Sequence, residues 1–476
     1  MKGIFKNITL NTIAFSAGRI TGGLMGLLVI GIIARSLGAR GFGEYATIIA
    51  YLGTFQILAD LGLYSLLTRE ISQNPEKEKE IIGSFLTLRL FVAAFFLLIA
   101  SALVFVFPYS MEVKIGVVYA ASGFLFLSLS QIFLGVFQKY MQIYKAAISE
   151  VIGRGIQLGI VWFLFSAGGT LFSYIGAMVA GAFVMFALNI FFATRIVSFR
   201  PSISLHKWKN ILKQTYPIAV SLIFTLLYFK ADTILLSVLK SPEDVGLYNA
   251  SYKVLETLIF FPAAFVGLML PIMSKYAKEN REKLSKLLSA LSDIITVFAL
   301  PIVAGGVILS ATFVYIIGGQ EFLAAAPAMM VLFLAVGIIF YGTLWGNSVI
   351  ALNLQKKAMK IYFAGFVFNF IANLLFIPAY SYMGAAWTTV VTELLVTAWL
   401  FLLVKKEISF SISLNAITKA VAGTALMSVV VFYIAGSLYE PVSVIRFIMA
   451  ILGGIVLYSM FGLKILKNLF QKEVLR

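Results

Sequence analysis

Residues 215–257, TYPIAVSLIFTLLYFKADTILLSVLKSPEDVGLYNASYKVLET, decide how the chain is read. Two apolar segments face each other across a short turn, Lys240 to Val245. Each carries charge: Lys230 and Asp232 in the first, Lys253 and Glu256 in the second. A charged side chain in hydrocarbon costs about 2.5–3.5 kcal/mol on insertion scales, so such residues face a bundle interior or a wet cavity. Lys230 and Asp232 are two residues apart and point different ways on a helix, so each needs a partner elsewhere or a ligand. Lys253 and Glu256 are spaced i, i+3 and can pair locally. The stretch is either inter-helix glue or the lining of a polar pathway.

The rest of the chain sets the class. Charged residues make up 12% of its 476 residues and the mean hydropathy is +0.99. A soluble domain carries about 25% charged residues, so this is a polytopic, all-α membrane protein. With no cysteine there is no disulfide or thiol chemistry. The single His206 lies in a basic loop, which argues against a histidine metal site. The N-terminus MKGIFKNITLN runs into the first span without a small-residue cleavage site, as an uncleaved anchor does.

A span needs about 20 mainly apolar residues. Fourteen segments qualify: 11–34, 44–66, 82–107, 115–137, 147–166, 171–194, 211–239, 246–272, 288–317, 325–351, 358–379, 383–404, 415–435 and 443–463. With the N-terminus inside, 27 of the 37 Lys and Arg fall in cytoplasmic segments and five in outside connections. The other five, Arg19, Arg89, Arg154, Lys230 and Lys253, lie within spans. The bias follows the positive-inside rule and predicts both termini in the cytoplasm, in a cytoplasmic (plasma) membrane. It also accounts for the net charge of +17 as anchors beside anionic lipids rather than a nucleic-acid surface. The run Glu76–Glu80 reads as a solvated loop.

The halves echo each other. Ser173-Tyr174-Ile175-Gly176-Ala177 opens the sixth span and Ser381-Tyr382-Met383-Gly384-Ala385 the twelfth. Gly43-Glu44-Tyr45 opens the second and Gly246-Leu247-Tyr248 the eighth, 203 residues later. These predict a parallel repeat of six spans: residues 1–205, residues 206–406, and two added spans in 407–476. Transporter sites lie at such repeat interfaces. Gly18, Gly22 and Gly26 in the first span predict close helix packing. Pro262 and Pro301 predict bends in the eighth and ninth.

Arg19 and Arg89 have no acid within four residues, whereas Arg154 has Glu150 at i−4. An arginine without a local partner in a membrane is a candidate for phosphate or carboxylate, which guanidinium binds in a bidentate way. Asp60, Asp232 and Glu393 are the acids that could instead pair with it across helices. The candidate substrate contacts are Arg19, Arg89, Lys230, Lys253 and Arg154. Asn369 and Asn373 share a helix face, with Thr388, Thr389 and Thr392 on the next span. With Asp232 they could form an all-oxygen Na⁺ site, or bond between helices as neutral polar groups.

Arg35-Ser36-Leu37-Gly38-Ala39-Arg40-Gly41-Phe42-Gly43-Glu44-Tyr45, followed by Ala59-Asp60-Leu61-Gly62-Leu63, resembles the first two spans of the polysaccharide-transporter (Wzx-type oligosaccharide flippase) family. Tyr216-Pro217, Ala231-Asp232-Thr233, Val245-Gly246-Leu247-Tyr248 and the segment Asn369 to Ala386 resemble it too. The resemblance covers nearly the whole chain. Its superfamily also holds MATE drug exporters and lipid II flippases. It implies two six-helix lobes around a central cavity, alternating access, and a cationic cavity for the phosphate or pyrophosphate of a polyprenyl-linked oligosaccharide. Arg19 is similar in position to a first-span arginine of lipid II flippases. Asp232, Asn369, Asn373 and Thr389 resemble a sodium site of that branch, with Asn373 standing where an acid is expected. The resemblance thus implies a flippase rather than an enzyme, with no cofactor and with Na⁺ or H⁺ as coupling ion. Its partners would be the lipid-linked glycan, membrane lipids and other polysaccharide-assembly proteins, and the chain would act as a monomer. The alternatives are a cation-coupled MATE-type multidrug exporter, which would want an acid-dominated cavity, and a membrane glycosyltransferase or polymerase, which would want acidic or histidine-bearing outer loops.

Overall fold

The structure, a computed structural model, describes residues 2–60 and 62–471. The side chains of residues 2–10, 12, 13, 16, 65, 216–230 and 464–471 fall outside that description, and with them the expectation for Lys230. The described secondary structure is helical throughout. Two compact units divide the chain, Met1–Gly246 and Leu247–Arg476.

The first unit contains α1 (Lys2–Asp60), α2 (Leu63–Gln73), α3 (Glu78–Leu103), α4 (Met111–Lys139), α5 (Tyr144–Ala167), α6 (Leu171–Thr194) and α7 (Leu205–Leu239), and α8 (Pro242–Leu258) begins there. α1 is two spans joined by a tight reversal at Gly38, whose φ of 67° is left-handed and open to glycine. α1 packs on α5, α4, α3 and α7. The repeat expected from the sequence would divide the chain at 205/206; the compact units part at Gly246, with α7 lying against α1, α2 and α3.

The span expected over 44–66 is longer and broken. It ends as α1 at Asp60 and resumes as α2, with Gly62 left-handed at φ 68°. Leu63, Leu66, Leu67 and Ile71 on α2 recur at helical spacing and pack against Ile82, Phe85, Ile132 and Val136. Of the run 76–80 expected to be solvated, Glu76, Lys77, Lys79 and Glu80 are exposed and Glu78 is not. Glu78 opens α3 as a buried residue, its Oε2 2.8 Å from Lys139 Nζ and accepting from the Tyr140 hydroxyl.

The second unit continues α8 and adds α9 (Phe260–Glu279), α10 (Arg281–Gly318), α11 (Ala326–Ala351), α12 (Gln355–Glu407), α13 (Leu414–Ala435) and α14 (Val444–Gln471). The eighth span breaks between α8 and α9, and Pro262 lies in the first turn of α9, where its missing N–H costs nothing. α12 is again two spans, reversed at Ser381 with φ 50°. α11 packs on α12, α10 and α9, and α13 pairs with α14.

Eleven described helices are long and apolar enough to cross a membrane. Two of them, α1 and α12, hold two crossings each, and Leu205–Leu239 supplies one more, which accommodates the fourteen spans. Large apolar side chains such as Leu98, Phe163 and Leu375 lie exposed along these helices. A helix satisfies its own backbone in lipid and needs apolar side chains there. The chain is a multi-pass membrane protein.

Candidate substrate site

The glycine stripe of the first span brings α1 against α5. A Cβ at Gly18 would come within 2.5 Å of Ala147 Cβ, and one at Gly22 within 3.3 Å of Glu150 Oε1. Gly26, third in the stripe, has open space there. Close approach at the first two places Arg19, between them, beside α5. Arg19 Nη1 donates to Glu150 Oε2 at 3.2 Å.

This revises the pairing expected from spacing. Glu150, four residues before Arg154, pairs with Arg19 instead, and Arg154 makes a longer 3.4 Å bond to Gln157 Oε1. Arg19 and Glu150 pair across the α1–α5 contact, and Arg154 lies four residues beyond Glu150 on α5 with Gln157 as its described partner. The Arg19 side chain is 47% exposed and Arg154 is exposed as well. Among the described residues the ion pair with Glu150 is the one hydrogen bond that the Arg19 guanidinium makes.

Arg89 has a different position. It is fully buried, and its side chain is knotted into the break between α1 and α2. Nη1 donates to the carbonyls of Ala59 (3.2 Å) and Asp60 (2.8 Å) and to Asp60 Oδ1 (2.5 Å). Nε donates to Ser128 Oγ at 2.8 Å, and Nη2 to Gln131 Oε1 at 2.8 Å. The last carbonyls of a helix lack partners within it, and a cation there also meets the negative end of the helix dipole. Arg89 caps the broken end of α1, so the expectation that it meets substrate is corrected: its donors are spent on the fold. Sequence proximity could not show this, because Asp60, Ser128 and Gln131 lie on other helices.

Lys253 and Glu256 pair locally as their spacing predicts, Nζ to Oε2 at 2.8 Å, just before the break that starts α9. They are partly exposed. The four oxygen-bearing residues expected to hold Na⁺ are not one described cluster. Asp232 is buried and belongs to the first unit, the other three to the second. Within the second unit Asn373 Nδ2 donates to Asn369 Oδ1 at 3.0 Å, and Asn369 Nδ2 to Thr392 Oγ1 at 3.4 Å. Thr392, expected on the same span as Thr389, is a described neighbour of Asn369. Thr389 Oγ1 instead donates to the Ala385 carbonyl and lies 3.3 Å from the Tyr248 hydroxyl. Among the described residues no group of three or more His, Cys, Asp or Glu could hold a metal ion.

Comparison with known proteins agrees with this architecture. The structure is similar to lipid II flippase MurJ in an inward closed conformation, with a TM-score of 0.80 at 15% identity, over 98% of this chain and 100% of that one. It is similar to an inward-facing multidrug resistance MATE family transporter of the MOP superfamily, with a TM-score of 0.64 at 15% identity, over 84% of this chain and 98% of the other. In sequence it is similar to the probable low-salt glycan biosynthesis flippase Agl15 of Haloferax volcanii, 24% identical over 76% of this chain and 77% of the relative. A second relative from that organism, the probable flippase AglR, is 23% identical over 63% of this chain and 61% of its own length. The family model described as "Polysaccharide biosynthesis protein" matches residues 8–277, more than half of the chain. The chain belongs to the polysaccharide biosynthesis protein family.

Proposed function

We propose that this protein is a flippase that moves a polyprenyl phosphate- or pyrophosphate-linked oligosaccharide from the cytoplasmic to the outer leaflet, for cell-surface glycan assembly. The observation that carries the reading is two exposed arginines on adjacent transmembrane helices, Arg19 paired with Glu150 and Arg154 on the same helix as Glu150. Exposed guanidinium in a membrane has a use if an anion visits, and phosphate matches its planar fork. The names of the two Haloferax relatives support the same class of activity. In this reading residues 1–205 and 206–406 are the lobes that alternate access, with 407–476 appended. Lys253 and Lys230 add positive charge along the path, and the termini face the cytoplasm. The polyprenyl-linked glycan, membrane lipids and the assembly enzymes that supply and consume the glycan are its partners.

The test is translocation of a fluorescent polyprenyl-diphosphate oligosaccharide by the purified chain in liposomes. The reading expects transfer that protein-free liposomes lack; absence of transfer with correctly folded protein would sink it. Imposing Na⁺ or pH gradients on the same liposomes tests coupling. Asp232, Asn369, Asn373 and Thr389 are the proposed Na⁺ ligands, so Asp232→Asn should abolish any Na⁺ dependence. Rates indifferent to both gradients remove the coupling ion. Reporter fusions after residues 205 and 470 should report cytoplasmic and one after 168 external; an external 205 fusion overturns the orientation.

A further inference from the structure

Three polar side chains of α12 form one directed chain of hydrogen bonds inside the second unit. Asn373 Nδ2 donates to Asn369 Oδ1 at 3.0 Å. Asn369 Nδ2 donates on to Thr392 Oγ1 at 3.4 Å, and the Thr392 hydroxyl donates to the Thr388 carbonyl at 2.6 Å. All three side chains are buried, those of Asn373 and Thr392 completely. The bonds tie together the two spans that α12 makes on either side of its reversal at Ser381. The Thr388 hydroxyl, also buried, has no hydrogen-bond partner among the described residues.

The direction of these bonds decides how the region meets a cation. A hard cation is held by oxygen lone pairs. An amide –NH2 group offers hydrogens and no lone pair. The Asn373 –NH2 therefore stands against Asn369 Oδ1 where a cation would stand, with its positive hydrogen toward the oxygen. Every member of the chain is neutral, so nothing in it calls for a counter-charge. A carboxylate buried at the same place would call for one. Hydrogen bonds in series polarise one another, which favours a fully bonded chain over a broken one.

We infer that Asn373 sets the cation affinity of the second unit: its amide takes the cation's place on Asn369, and Na⁺ enters only by displacing it. An acid at position 373 reverses this. It removes both donors, releases Asn369 Oδ1 and adds an anionic oxygen, so the region then needs a cation. The inference rests on the Na⁺ ligand set proposed above, so its test reads stability rather than transfer. The full chain is purified in NaCl throughout and melted after exchange into NaCl, KCl or choline chloride at equal ionic strength. Asn373→Asp should melt low in KCl and in choline chloride and recover saturably as Na⁺ replaces K⁺, as a ligand that binds the folded state requires. Wild type should show no shift over the NaCl range that saturates Asn373→Asp. Asn373→Leu, which removes the amide without adding an acid, should melt below wild type by the same amount in all three salts. A wild type stabilised by Na⁺ over K⁺ in that range would overturn the inference. So would an Asn373→Asp protein that melts alike in every salt, or that cannot be purified in NaCl. A Na⁺ response confined to Asn373→Asp, in a protein that transfers no glycan, would support the role of Asn373 and reject the substrate assignment.

Discussion

Two regions of the first unit each hold a membrane arginine, and they hold it in opposite ways. At the break between α1 and α2, Arg89 is sealed in and bonded to three main-chain carbonyls, a carboxylate, a hydroxyl and an amide. On the α1–α5 face, Arg19 is nearly half exposed and, among the described residues, bonded to one carboxylate, Glu150. The difference is one of donor accounting. A guanidinium in low dielectric must satisfy its five N–H groups. Where protein acceptors surround it, as around Arg89, it is a structural element. Where the described residues provide one acceptor, as for Arg19, the proposed use of the other donors is a substrate anion.

The largest effect that could break this comparison is at Arg89. Replacing it with alanine leaves the Asp60 carboxylate, the end of α1 and two polar side chains without their donor. Removing one partner of a buried pair costs about 3–5 kcal/mol. Arg89→Ala should therefore fail to accumulate in the membrane or melt far below wild type in detergent, and Arg89→Lys should be intermediate because the fork is lost while the charge stays. A well-folded, thermally normal Arg89→Ala would show that the cap does not hold the break.

Arg19 should behave the other way. An exposed ion pair contributes about 0–1 kcal/mol, so Arg19→Ala should insert and melt close to wild type. Hydrogen bonds to charged groups are worth about 1.5–3 kcal/mol, so losing them at the substrate phosphate should slow glycan transfer roughly ten- to a hundredfold. Arg19→Lys should retain part of the rate.

The smallest effect is expected at Glu150. Glu150→Gln removes the acid that competes for Arg19 and raises the positive charge there. Substrate binding, read by fluorescence titration, should tighten by a few-fold at most, since the pair it replaces is worth no more than about 1 kcal/mol. Weaker binding would mean that Glu150 orients Arg19 for the ligand rather than competing with it.

Much of the architecture was legible in the sequence because hydrophobic length and glycine placement act locally. Pro262 predicted a bend in the eighth span, where the helix breaks between α8 and α9. Gly18 and Gly22 announced the close packing of α1. The i, i+3 spacing of Lys253 and Glu256 gave their pair. What could not be read was which acid meets which arginine, since that is settled by side chains from separate helices. Glu150 sits one helical turn from Arg154 yet reaches across to Arg19, because the small residues at 18 and 22 bring α1 within range. Glu78 was hidden for the same reason: Lys139 and Tyr140, sixty residues later in the chain, bury it. The repeated Ser-Tyr-x-Gly-Ala is a further lesson. Ser173 belongs to a capping box at the start of α6, whereas Ser381 carries the positive φ that reverses α12. A shared motif marked equivalent places without fixing equivalent geometry.

The most direct test of the account measures transfer of a polyprenyl-diphosphate oligosaccharide in liposomes carrying equal amounts of wild-type or Arg19→Ala protein, with the melting temperature of each preparation taken beside it. The account predicts transfer by wild type, a loss of roughly ten- to a hundredfold in Arg19→Ala, and closely matching melting temperatures. An Arg19→Ala protein that transfers the glycan at the wild-type rate would contradict it.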